Sequence, residues 1–278
     1  MANIKWEQIA VMNQHYKKYS FDYFLAAQEK LGIKNIELWC GAPHFWLDSV
    51  SYSNCREIKK KAQSYGIKIV STASPSYQWQ YQCASQKKEY WEKSLQYYTN
   101  GVRAAAELGA KIMVLNSGWG YWNENPEVSR QRALETVVQL CEAAKREGII
   151  LAMESLQPNE TNIVITLDQI KRFYDQVNHP NLKIMIDSAA VGSNGETIEQ
   201  WFQTFGDEIV HTHYIDRGVT THNGWGDGNY PLEQQLECFN AYNYSGYFVQ
   251  ELLAPSYFKN PIRADQNNIR VLERFVED

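Results

Sequence analysis

Glu154, Asp187, His213 and Glu251 each stand at or beside the end of a short apolar run: Ile149–Glu154, Lys183–Asp187, Ile209–Tyr214 and Tyr247–Leu252. Taken singly, a carboxylate in such a place is most simply a helix cap or a salt-bridge partner. Three carboxylates and an imidazole ending four successive runs are harder to explain that way. So many like charges do not gather cheaply unless a cation lies among them. Three oxygens, one nitrogen and no sulfur suit a hard to borderline divalent ion. Mn2+ leads, Mg2+ and Co2+ are alternatives, and Zn2+ ranks lower because it prefers more nitrogen or sulfur.

Other polar residues near these runs carry two readings each. In an extended strand, residues two apart face the same side, so His211 and His213 point together. His213 lies nearer the strand end and is the better ligand, while His211 packs deeper as a supporting or core histidine. Asn116 and Ser71 end runs of their own and either bond hydroxyl groups of a ligand or satisfy loop backbone. Glu37 leans towards a functional role because it begins the loop that holds His44. His15 and His44 follow the first two runs, and His222 sits in the loop THNGWGDGNY, which could fold over a ligand. Arg217 is the main basic residue of these loops. No phosphate-binding GxxxxGK[ST] motif is present. His179, just before Pro180, reads as a loop residue on the opposite face. Aromatic residues make up 13% of the chain, and several fall in loops: Phe45, Trp46, Trp79, Tyr81, Trp119, Tyr121, Trp122 and Trp225. Singly these are loop plugs; together they could wall a sugar pocket.

The elements that must position these groups follow a repeat. Eight apolar runs, the first four being Ile9–Met12, Asn35–Trp39, Ile67–Ser71 and Lys111–Asn116, alternate with helical patterns such as NCREIKKKAQSYG and EVSRQRALETVVQLCEAAKREG. Glycine closes many of these patterns, as at Gly109, Gly148 and Gly246, where a left-handed cap is expected. Strands alternating with helices imply right-handed crossovers and a parallel sheet. Eight such units close into a (β/α)8 TIM barrel, here a single domain spanning 1–278. In that fold the working face is the C-terminal end of the strands, where the four candidate ligands lie.

Composition narrows the classes further. The chain has 278 residues, with 27 basic against 32 acidic side chains and a net charge of −5. That balance opposes a protein that wraps nucleic acid or an anionic membrane. Five scattered cysteines without a Cys-x-x-Cys pair argue against a disulfide framework and a thiolate zinc site. With no signal-peptide pattern and no apolar run near the ~18 residues of a membrane span, a cytoplasmic setting is expected.

Several segments carry a family resemblance. AMESLQPNETN, IMIDSAA, VHTHYID and VQEL, with the earlier IELWCGAPHFWLD, make the chain resemble the sugar isomerase/epimerase barrels of the xylose-isomerase-like superfamily, and among them the ketose 3-epimerases, their fructoselysine branch included. The resemblance covers essentially the whole chain. It implies a metal held by Glu154, Asp187, His213 and Glu251, with Glu154 and Glu251 also the acid/base pair that epimerises C3 of a ketose or fructosamine through an enediolate. It further implies that Glu160 contacts substrate and that His44 belongs to the second-strand region of the subgroup. Trp119, Asn116, Arg217 and His222 complete the candidate sugar contacts. Two positions depart from the ketohexose epimerases, whose histidine three residues past the sixth-strand aspartate is Ala190 here, and whose arginine six past the metal histidine is Val219. Both departures point towards a fructoselysine-type substrate and away from free fructose or psicose. An aldose–ketose isomerase or a sugar dehydratase would use the same metal site. A DNA-repair endonuclease of the same superfamily would need many more than the six histidines present. A non-catalytic sugar-binding module would not need the paired carboxylates, and no dinucleotide fingerprint supports an NAD enzyme. Homodimers or homotetramers are common among such barrels and are compatible with the exposed aromatics.

Overall fold

A computed structural model describes residues 3–48, 52–75 and 81–277. Trp79 lies outside them. Eight parallel strands follow one another in order and close on themselves, β1 pairing with both β2 and β8. They are β1 (Ile9–Met12), β2 (Asn35–Trp39), β3 (Lys68–Ala73), β4 (Ile112–Asn116), β5 (Ile150–Glu154), β6 (Leu182–Asp187), β7 (Ile209–His213) and β8 (Phe248–Gln250). Each falls on an apolar run expected from sequence, and β3 runs two residues further than its run.

The helices between them are α1 (Phe21–Lys30), α2 (Tyr52–Ser64), α3 (Lys88–Leu108), α4 (Pro126–Glu147), α5 (Leu167–Val177), α6 (Ser188–Ser193), α7 (Ile198–Phe205), α8 (Leu232–Ala241) and α9 (Pro261–Leu272). Their starts are chemical. Thr166 and Thr197 each form a capping box, with Gln169 and Gln200 returning the bond. Their apolar stripes face the sheet: Ile170, Phe173 and Val177 on α5, and Ile198, Trp201, Phe202 and Phe205 on α7 are all buried. Gly109 and Gly148 end α3 and α4 in the left-handed conformation. After α8 the expectation fails: Asn243, not Gly246, carries the positive φ.

The alternation of side chains along each strand divides the core in two. Ile36, Leu38, Met113, Leu115, Leu151 and Ile186 point outward into the shell beneath the helices. Ala10, Met12, Trp39, Ala73, Val114, Ala152, Met185 and Val249 fill the barrel interior. Small alanines inside leave room for the polar groups that occupy the same inward-facing register further along the strands. Among the described residues no helix is long and apolar enough to cross a membrane.

Candidate metal centre

The four sequence-selected groups meet at the C-terminal mouth of the barrel. Glu154, Asp187 and His213 are the last residues of β5, β6 and β7, and Glu251 follows β8 directly. Register does the gathering, for Asp187 lies opposite His213 and Asn116 opposite Glu154. His213 Nδ1 lies 2.9 Å from Glu251 Oε2, 3.2 Å from Glu154 Oε1 and 3.7 Å from Asp187 Oδ2. One ligand atom from each of the four falls within 4.8 Å of all the others.

Each group is held from behind. His213 Nε2 lies 2.8 Å from Glu37 Oε1, and a carboxylate there can only accept, so Nε2 carries a proton and Nδ1 is the nitrogen turned to the mouth. Asp187 Oδ1 accepts the Ala190 amide at 2.7 Å and caps α6, which leaves Oδ2 for the cluster. Gln157 N donates to Glu160 Oε2 at 2.9 Å. His222 enters from the loop after β7, with Nε2 at 3.3 Å from Glu251 Oε2 and 3.5 Å from Asp187 Oδ2. Its backbone takes a left-handed φ of 57°, and the carboxylate of Asp216 ties the loop by accepting from the amides of Arg217, Gly226, Gly228 and Tyr230. Four amides on one buried carboxylate fix the path of that loop.

The electrostatics are those of a crowded, dry site. Burial, reinforced by repulsion from Glu251 and Asp187, pushes Glu154 up to about 7 despite the nearby His213. Burial would raise Glu251 and Asp187 as well, but the imidazoles of His213 and His222 outweigh it and hold both below the usual carboxylate range. The surrounding carboxylates in turn raise His213 and His222 above ordinary histidine against the effect of burial. His213 Nδ1 is buried and makes no well-directed hydrogen bond, although three carboxylates surround it. An orphaned ring nitrogen among three carboxylates is a donor set that fits a divalent cation.

The cavity above this cluster holds about 540 Å³ of non-protein space, part of it open to solvent. Asn116, Glu160 and His222 line it, and so does Ala190. Three other candidates stand elsewhere. The ring nitrogens of His44 are taken up by Asn13 Nδ2 and the Tyr19 carbonyl, both at 2.8 Å. Arg217 points its guanidinium to the Gly192 carbonyl at 3.3 Å. Trp119 packs edge-on against Tyr121, 5.9 Å between ring centroids. Val219 is fully exposed. Glu37 does not begin a loop; it sits inside β2, wholly buried. None of the described loop aromatics named above lines the cavity. The ring that does is Trp39, at the end of β2. A Cβ on Gly41 would come within 2.0 Å of that ring, so glycine makes its position available. Gln14 and Gln157 also line the cavity and were not singled out from sequence, though Gln14 lies two residues beyond β1, where a strand-end search finds it.

Comparison with known proteins agrees with this architecture. A profile described as "Xylose isomerase-like TIM barrel" matches residues 25–275. A fructoselysine 3-epimerase of Shigella flexneri is 26% identical over 226 residues, covering 81% of this chain and 82% of its own. A D-psicose 3-epimerase of Ruminiclostridium cellulolyticum is 22% identical over 237 residues, 83% of this chain and 78% of its own. Among solved structures, the 3-keto-D-glucoside 4-epimerase of E. coli superposes with a TM-score of 0.80 at 18% identity, covering 96% of this chain and 99% of that one. A D-psicose 3-epimerase crystallised with D-fructose gives 0.81 at 16%, with the same coverage. These relatives are sugar epimerases, a kind of isomerase. With the closed eight-stranded barrel and a profile match over nearly its full length, the chain belongs to the xylose isomerase-like TIM barrel family.

Proposed function

We propose that this protein is a divalent-metal-dependent isomerase, a sugar 3-epimerase that inverts C3 of a ketose or fructosamine-type substrate. The observation that carries the reading is the convergence of Glu154 and Glu251 on His213 Nδ1, at 3.2 and 2.9 Å, beneath the cavity at the barrel mouth. The names of the relatives, fructoselysine 3-epimerase and D-psicose 3-epimerase, support it. Glu154, Asp187, His213 and Glu251 would hold the cation, Mn2+ foremost. When bound, such an ion supplies Lewis-acid stabilisation for negative charge developing on the sugar oxygens.

The remaining chemistry belongs to the side chains. Epimerisation removes the weakly acidic proton from C3 and returns one to the opposite face. One glutamate must then be ionised while the other carries a proton, and even without a cation the two environments differ: burial pushes Glu154 up, while His213 and His222 hold Glu251 low. Glu251 takes the proton, Glu154 returns one, and the roles reverse for the opposite epimer. Asp187 and His213 bind and orient without moving protons. His222 and Glu160 face the cavity and offer hydrogen bonds to sugar hydroxyls, and the Trp39 ring offers a flat surface to sugar C–H groups. Ala190 leaves room beside Asp187 for a substituent larger than a free hexose, which favours the fructosamine branch. The five free thiols, four of them buried, support a reducing, cytoplasmic setting.

The test is hydrogen exchange. Protein loaded with Mn2+ is incubated in D2O with fructosamines and free ketohexoses, the metal is removed, and the sugars are read by NMR. Deuterium at C3, lost by about 10²- to 10⁴-fold in Glu251→Gln, is expected. Deuterium at C1 or C2 would make the protein an aldose–ketose isomerase. No exchange from any of these sugars, with metal bound, would remove the proton-transfer reading.

A further inference from the structure

One carboxylate in the barrel has no part in the chemistry proposed above. Glu37 lies inside β2 with no solvent exposure, beneath the candidate metal ligands. A carboxylate stripped of water is costly unless its lone pairs are occupied. Here three donors occupy them. His213 Nε2 is 2.8 Å from Oε1, and His211 Nε2 at 2.7 Å and Ser71 Oγ at 2.6 Å both reach Oε2. The three come from β7 and β3, so the carboxylate links strands across the barrel interior. His211 and His213 are both fully or almost fully buried, and their rings meet edge-on at 6.0 Å between centroids.

From this geometry we infer that Glu37 is a positioning residue for the metal centre: it fixes the ring of His213 with Nε2–H bound below, so that Nδ1 is the atom presented to Glu154, Asp187 and Glu251. His211, bound to the other oxygen, keeps the carboxylate from turning away. The inference rests on the metal reading above. An imidazole free to flip would turn Cδ2 to where Nδ1 now stands, and only the present orientation places a ring nitrogen among the three carboxylates. Glu37, His211 and His213 also lie close enough to one another to suggest a second ion. Their separations of 2.7 and 2.8 Å are ordinary hydrogen-bond lengths, and all three are sealed from solvent, which favours the hydrogen-bonded arrangement.

Glu37→Gln tests this, because a single amide oxygen cannot accept from both histidines and its NH2 group must face a ring N–H. Two quantities are read: Mn2+ affinity by titration calorimetry, and the downfield ring N–H signals of His211 and His213 in protein labelled with 15N-histidine. A fall in affinity of about 10- to 100-fold, with the His213 Nε2–H signal shifted or lost and the circular dichroism unchanged, is expected. Should the glutamine variant fail to fold, Glu37→Asp keeps the charge but withdraws it by one methylene, and a smaller loss in the same direction is expected. Unchanged affinity together with unchanged ring signals would overturn the inference. So would uptake of two ions per chain with the second lost in Glu37→Gln. If the wild type takes up no divalent ion while its His213 signal still depends on Glu37, the metal reading fails and the positioning of the ring stands.

Discussion

At the scale of single residues, the site turns on three carboxylates and a histidine that cannot all be charged together without a partner. Glu154 makes the consequence measurable. Its pKa of about 7 lies above the ordinary glutamate value, so it keeps its proton below pH 7. A cation that binds at this cluster competes with that proton and takes the place of the one on His213 Nδ1. Metal binding therefore releases protons, and the affinity for Mn2+ falls as the pH drops from 8 to 6. Calorimetry in two buffers of different ionisation enthalpy reads the proton count. A binding enthalpy independent of buffer, with affinity flat across that range, would contradict the clustering of these groups around the ion.

At the scale of elements, loops carry the groups that strands alone do not place. Asp216 accepts four backbone amides from the segment that bears His222, and hydrogen bonds to a charged group are worth roughly 1.5–3 kcal/mol each. Asp216→Ala orphans all four and is expected to loosen the loop, exposing it to limited proteolysis between residues 217 and 229 while the barrel strands stay protected. If cleavage there is no faster than in the wild type, Asp216 is not the tether. Trp39 depends on Gly41 in a similar local way. A methyl at that position meets the indole at 2.0 Å, so Gly41→Ala must displace the ring. The expected result is a several-fold higher KM for sugar with the affinity for Mn2+ unchanged. Equal KM values would show that Trp39 does not contact substrate.

At the scale of the whole molecule, the outer shell is conventional: apolar helix stripes lie on the outward faces of the strands, and Trp201, Phe173 and Phe239 are fully enclosed. Truncating Trp201 to alanine is expected to cost about 3–5 kcal/mol. The inner mouth differs, because a cation bound there stabilises the folded chain and not the unfolded one. Free Mn2+ at a hundred times its dissociation constant adds about 2.7 kcal/mol. For a chain of 278 residues that is a rise in Tm of about 4–5 °C over a sample in chelator, at an unfolding entropy of roughly 2.1 cal/mol/K per residue. A Tm insensitive to chelator would count against a bound ion in the native protein.

The repeat of apolar run, polar loop and helix was enough to determine the barrel, since eight strands buried on both faces leave a linear signal that needs no contacts to read. The same signal located Glu154, Asp187, His213 and Glu251, because each marks where an apolar run meets the mouth. Tertiary structure decided what no run length encodes. Glu37 shows no partner in the sequence until it is seen, from within β2, to face His211 and His213 across the interior. His44 and Arg217 lie on the correct face of the barrel, yet both ring nitrogens of His44 are taken by Asn13 and Tyr19, and the Arg217 guanidinium reaches Gly192 in α6. Trp39, an end-of-strand aromatic with nothing unusual beside it but Gly41, lines the cavity that the loop tryptophans were expected to wall. Periodicity fixes which way a strand residue faces. Which loop residues reach the centre depends on how each loop spends its hydrogen bonds, and those partners are distant in sequence.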